Sequence, residues 1–122
     1  MDIQIETQDV EMPAHANKFL RNRIRSAMDK VGLQISRLHL SLRDVNGKKG
    51  GRAKVCTVRA TLVSGGEVVV IDRGHRVRES LLRALRRSRS LVRRELIRRR
   101  QRERKARVFV PAAAALEQAA PA

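Results

Sequence analysis

With 122 residues, 42% of them hydrophobic, the chain has material for one domain around one core and is too apolar to be a bare basic tail. Cys56 is the only cysteine, which excludes an intramolecular disulfide and a zinc site built from cysteines, and no apolar run approaches the roughly 20 residues of a membrane span. The formal net charge of +16 points to a polyanionic partner, and the N-terminus, Met1-Asp2-Ile3-Gln4-Ile5-Glu6, lacks the pattern of a secretory signal, so a cytoplasmic protein is expected.

Taken in chain order, residues 2–8 alternate as a strand, with Ile3 and Ile5 set against Asp2, Gln4 and Glu6. A helix is expected to start near Met12-Pro13, where proline suits the first turn and Glu11 the positive end. It should run to about Val31 and stop at Gly32. Leu20, Ile24, Ala27, Met28 and Val31 have the spacing of one buried stripe, with Lys18, Asn22, Arg25 and Asp29 opposite and Arg21 at the flank.

From Leu33 to Asp44 the period becomes two: Leu38, Leu40 and Leu42 face one way, and Arg37, His39, Ser41 and Arg43 the other. Asn46 to Gly51 reads as a glycine-rich turn. Arg52 to Val63 alternates again, Ser64-Gly65-Gly66 makes a second turn, and Glu67 to Ile71 a last strand. The second helix is expected from about His75 past Arg100, with Val77, Leu81, Leu85, Ser88, Val92 and Leu96 as its core stripe. Carried to Arg107 it would be roughly 50 Å long, against about 33 Å for a ten-residue strand, so its last turns should extend past the sheet.

The resulting β-α-β-β-β-α order specifies an α+β domain, residues 1–107, resembling the double-stranded-RNA-binding domain. Its four-stranded mixed sheet would carry two helices on one face. Residues 108–122 are rich in alanine and proline and are expected to be a disordered tail.

Charge is concentrated in the second helix. Met1 to Asp72 carries a net +4, Arg73 to Arg107 a net +13 and the remainder −1. Of the basic residues 22 are arginine and 6 lysine, and arginine grips phosphate with a planar fork. Arg76, Arg83, Arg86, Arg87, Arg93, Arg94 and Arg98 fall on the exposed side of the helix by wheel position. Only Glu79, Glu95 and Glu103 offset them, and unrelieved like charges one turn apart destabilise a helix. The pattern therefore calls for a polyanion. A membrane surface fits poorly, because the apolar stripe is needed by the sheet and no aromatic residue lines it.

Phe19 and Phe109 are the only aromatic residues, so the sheet lacks the stacking platform of single-strand RNA modules, and recognition of folded RNA by phosphate and shape is expected. His15, His39 and His75 fall in different elements without metal-ligand spacing, and no nucleophile motif, carboxylate pair or cofactor fingerprint is present. The expectation is a non-enzyme with no cofactor and no small-molecule substrate. Cys56 alternates with Val58 and Ala60 as a small core residue.

The segment Asp44-Val45-Asn46-Gly47-Lys48-Lys49-Gly50-Gly51-Arg52-Ala53-Lys54-Val55-Cys56 lacks the spacing of a nucleotide-binding phosphate loop. Read as Asp-x-Asn-Gly-x-(Lys/Arg)-Gly-Gly-x-x-Lys-x-Cys between two strands of a βαβββα domain, it resembles the ribosome hibernation promoting factor / ribosome-associated inhibitor (sigma-54 modulation) family over about residues 1–105. The chain departs from that family at the start of the second helix, where Gly74-His75-Arg76-Val77-Arg78-Glu79-Ser80-Leu81 replaces an acidic-leucine-tyrosine-alanine-alanine type run. The resemblance implies a short-form protein that seats in the small-subunit channel between head and body. There it would occupy mRNA and tRNA positions and idle the ribosome in stationary phase or stress. It implies rRNA contact by Lys18, Arg21 and Arg25 of the first helix, by the arginine set of the second, and by Lys49, Arg52 and Lys54 of the loop motif. The expected partner is the small ribosomal subunit and its rRNA, with no membrane and no required oligomer. A general structured-RNA or ribosome-assembly protein is the alternative, and a module binding an acidic protein the third reading.

Overall fold

The computed structural model describes residues 1–45 and 54–108. The chain divides into two compact units, Met1–Val92 and Arg93–Ala122. The elements are β1 (Asp2–Gln8), α1 (Ala14–Ala27), a 3-10 turn (Gly32–Gln34), β2 (Ile35–Asp44), β3 (Lys54–Leu62), β4 (Glu67–Gly74) and α2 (Val77–Val108). The strands form one sheet in the order β1-β2-β3-β4. β1 runs parallel to β2, and the other two pairings are antiparallel. This is the α+β, mixed-sheet, two-helix fold expected from the pattern.

Register explains which side chains enter the core. Ile3, Leu38, Ala60 and Val68 align across the sheet, as do Ile5, Leu40, Val58 and Val70, and then Thr7, Leu42, Cys56 and Asp72. Most of this face is buried, with Leu38, Leu40, Val58, Ala60 and Cys56 fully so. The helices cover it with Leu20 and Ile24 from α1 and with Leu81, Ala84, Leu85, Ser88 and Val92 from α2. Each large side chain so removed from water contributes about 1.5–3 kcal/mol. The other face alternates outward and carries the ion pairs Arg37–Asp2 (3.9 Å) and Arg59–Glu67 (3.8 Å), with His39 Nε2 3.4 Å from the Glu6 carboxylate.

Several boundaries differ from expectation. Pro13 is extended (ψ 154°) and caps α1 from outside instead of opening its first turn; its carbonyl accepts the amides of Ala16 (3.0 Å) and Asn17 (3.4 Å). α1 ends at Ala27, four residues before Val31, because the backbone tightens into shorter-range bonds, Asp29 N to Ser26 O (3.4 Å) and Val31 N to Met28 O (3.0 Å). Met28 and Val31 remain in the core regardless. β4 continues three residues past Ile71, since Asp72 and Gly74 still pair with Cys56 and Lys54. Between β3 and β4, Gly65 (φ 95°) and Gly66 (φ 82°) both take left-handed conformations that a side chain would strain. The expected Asn46–Gly51 turn and the tail from residue 109 lie outside the described residues.

Candidate nucleic-acid interface

On α1, Lys18 and Arg25 are exposed, whereas Arg21 is half-buried and committed to the fold. Its Nη1 donates to the carbonyl of Ile3 (2.8 Å) and its Nε to Asn17 Oδ1 (2.9 Å), tying the helix to β1. Those residues occupy the flank of α1 toward β1. The flank toward α2 presents a different cation, Arg23, which helical spacing alone does not single out.

On the N-terminal part of α2 the arginines divide into two groups. Arg83 and Arg87 converge on Asp72, a carboxylate only 7% exposed. Arg83 Nη2 donates to Asp72 Oδ1 at 3.0 Å and its Nε to Oδ2 at 3.2 Å, a two-pronged grip. Arg87 Nη1 lies 3.7 Å from Asp72 Oδ2 and donates to the carbonyl of Ile71 at 3.4 Å. The hydrogen bonds to Asp72 hold the Arg83 guanidinium firmly protonated. Burial pushes the Cys56 thiol up to about 12, and the Asp72 charge across the strand pair adds to the effect. In the sequence Asp72 falls just past the expected end of the last strand and draws no notice, yet it positions two of the arginines expected to bind RNA.

The second group faces α1. Arg86 and Arg89 of α2 and Arg23 of α1 line a groove of about 300 Å³ between the helices, with Ser26 at its side. Ala27, Leu82 and Leu85 supply the apolar part of the lining. Among the described residues no carboxylate pairs with these three guanidinia, and Arg89 is half-buried. Arg76 precedes α2, where its carbonyl accepts the Ser80 amide (3.1 Å), and its guanidinium lies 3.8 Å from Glu79.

In the unit beginning at Arg93, α2 continues to Val108. Arg93 and Arg94 are exposed and have no acidic partner among the described residues. Arg98 and Arg99 both approach Glu95, at 3.9 and 3.3 Å.

Of the loop-motif cations, Lys49 and Arg52 lie outside the described residues. Lys54 is ion-paired with Asp44, its direct partner in the β2–β3 register, so its charge is already met within the sheet. No helix among the described residues is long and apolar enough to cross a membrane. No group of three histidine, cysteine or acidic side chains that would hold a metal ion occurs among them.

No known family model matches the chain, and no curated protein does. Solved structures do. A ribosomal subunit interface protein from Coxiella burnetii superposes with a TM-score of 0.65 at 12% identity, covering 80% of this chain and 99% of that one. The chain shares the fold of that protein. The N-terminal domain of Thermus thermophilus Protein Y superposes with a TM-score of 0.60 at 18% identity, over 77% of this chain and 98% of its own. Both neighbours are matched over nearly their whole length, so the likeness is to the entire βαβββα domain and not to a shared hairpin.

Proposed function

We propose that the chain is a ribosome-associated hibernation factor that binds small-subunit rRNA in the mRNA and tRNA channel through its basic helices and holds the ribosome idle. The observation that carries this reading is the pairing of that fold with an α2 whose arginines far outnumber its acids. A protein that made α2 basic only for solubility would gain nothing from arginine over lysine. The Asp44–Cys56 motif supports the same reading. Stress and stationary-phase function, the cytoplasmic location and the absence of an enzymatic activity belong to the same proposal.

The contact set best fitted to rRNA consists of Lys18, Arg25, Arg86, Arg93, Arg94 and Arg98, whose charges face solvent. Lys49, Arg52 and Arg76 remain members of it by the resemblance to the hibernation family. Arg21, Lys54, Arg83 and Arg87 serve the fold first and reach RNA only with whatever donors their internal partners leave free.

Co-sedimentation with purified small subunits over a salt series, with random duplex RNA as competitor, tests the proposal. Tight, salt-sensitive binding that duplex RNA fails to displace is the expected result. Equal affinity for duplex and subunit would refute the ribosomal reading in favour of general structured-RNA binding.

A further inference from the structure

The groove between α1 and α2 combines features that a duplex phosphate ladder does not need. A rod-like double strand is gripped by cations spread over a convex surface. Here three guanidinia without acidic partners among the described residues converge on a concavity of about 300 Å³ that also contains apolar surface from Ala27, Leu82 and Leu85. Arg89 is half-buried there, and a cation withdrawn from water without a counter-charge is costly unless a ligand supplies one.

One more residue bears on the ligand. Phe19, the only aromatic side chain among the described residues, is 62% exposed on α1. It stands four residues before Arg23 and seven before Ser26, so the three share one helix face, the face that borders the groove. An exposed phenyl ring beside a cluster of arginines offers a stacking surface within reach of a phosphate site.

We infer that this groove receives one unpaired nucleotide of an RNA chain, its base stacked on Phe19 against the aliphatic lining and its phosphate held by Arg23, Arg86 and Arg89. The site would accept a base extruded from a fold or a single-stranded segment, and it would discriminate poorly among bases, since the lining supplies few groups to read their edges. The inference rests on the rRNA reading for the source of the chain and adds to it a second mode of contact, separate from phosphate binding on the open helix surface.

The test is a titration of the full chain, followed by NMR, with a single-stranded RNA tetranucleotide, a nucleoside 5′-monophosphate, inorganic phosphate and a short RNA duplex as separate probes. The expected result is that the tetranucleotide moves the Phe19 ring signals and the Ala27, Leu82 and Leu85 methyl signals together. The monophosphate should do so more weakly and inorganic phosphate not at all. Phe19→Ala, at an exposed position that leaves the fold intact, should weaken the tetranucleotide about tenfold while duplex affinity changes less than twofold. Arg23→Gln with Arg89→Gln should weaken it further and lower its salt dependence.

Methyl signals that stay still, inorganic phosphate that reproduces the tetranucleotide's shifts, or a Phe19→Ala effect equal on both RNAs would overturn the inference. A monophosphate that binds as tightly as the tetranucleotide would also overturn it, by assigning the groove to free nucleotides. Co-sedimentation separates the two failures. A groove that ignores the tetranucleotide in a chain that still binds small subunits removes this inference alone. A groove that binds it in a chain indifferent to subunits removes the ribosomal reading instead.

Discussion

Gly74 lies where β4 turns toward α2, and replacing it with alanine isolates one packing constraint. A Cβ built there would sit 2.5 Å from Ser80 Oγ and 2.6 Å from Arg83 Nη2, both far inside contact distance. The backbone at Gly74 has no positive φ, so the penalty is purely steric. Arg83 can swing aside, but doing so releases Asp72, a buried carboxylate, from its two-pronged hydrogen bond. Ser80 is completely buried and its hydroxyl has no hydrogen-bond partner among the described residues, so it has little room to retreat and no partner to gain. Overpacking of this kind costs about 1–3 kcal/mol, and about 2 kcal/mol would lower the midpoint of thermal unfolding by roughly 8–16 °C in a unit of this size.

The control is Ser80→Ala. Removing an unpartnered buried hydroxyl from a helix and raising helix propensity should be neutral or stabilising by up to about 1 kcal/mol. In the Gly74→Ala background the same change removes the nearer of the two clashes, so the pair should couple favourably by about 1 kcal/mol. Urea unfolding followed by circular dichroism at fixed pH and salt measures all four species. Gly74→Ala stability within about 0.5 kcal/mol of wild type, or strict additivity with Ser80→Ala, would refute the steric account.

Other outcomes follow from the same structure. The Cys56 thiol titrates near 12 in the fold against 9.0 for an ordinary thiol. The unfolded chain therefore loses this proton first, and stability should fall across pH 9 to about 12 by up to about 1.4 kcal/mol per pH unit, an added slope that Cys56→Ala removes when both proteins are compared by urea unfolding. Below pH 9 both states hold the proton, and the group contributes no pH dependence. Neutralising Arg93, Arg94 and Arg98 together should flatten the log-log salt dependence of small-subunit binding by about 0.7–0.9 for each phosphate that no longer meets a cation, without altering the unfolding midpoint by more than a few degrees. Lys54→Gln should do the reverse, lowering stability while leaving subunit affinity within about threefold, because its ammonium is already met by Asp44; a large drop in affinity in a stably folded variant would make Lys54 an RNA contact.

Much of the fold was legible because period and register agree. The β1 boundaries, the sheet order and the core stripe of α2 follow from alternation and helical spacing, and burial of Leu81, Leu85, Ser88 and Val92 matches the stripe. The end of α1 was not legible, since Met28 and Val31 have helical spacing and are buried in a tighter turn that the same pattern cannot distinguish. The site was legible as composition and not as geometry. A helical wheel ranks arginines by angle from the core, but Arg83 and Arg87 bend back to a carboxylate on a neighbouring strand, a tertiary partner that spacing within one helix does not reveal. Arg23 and Arg89 stay inconspicuous for the opposite reason, because they sit at the edges of their helices' polar arcs and gain meaning only once the helices are side by side. The one available signal was Phe19, an exposed aromatic side chain on a basic helix.

The sheet face turned away from the helices sets acids against several of its basic side chains, Asp2 against Arg37, Glu6 against His39 and Glu67 against Arg59, and adds only Arg43 and Arg73 to them. The helical side carries arginines that have no such couples among the described residues. The unit that holds both is therefore an oriented dipole. In the field of a polyanion it would turn before it touches, arriving helices first and leaving the more weakly charged sheet face to solvent.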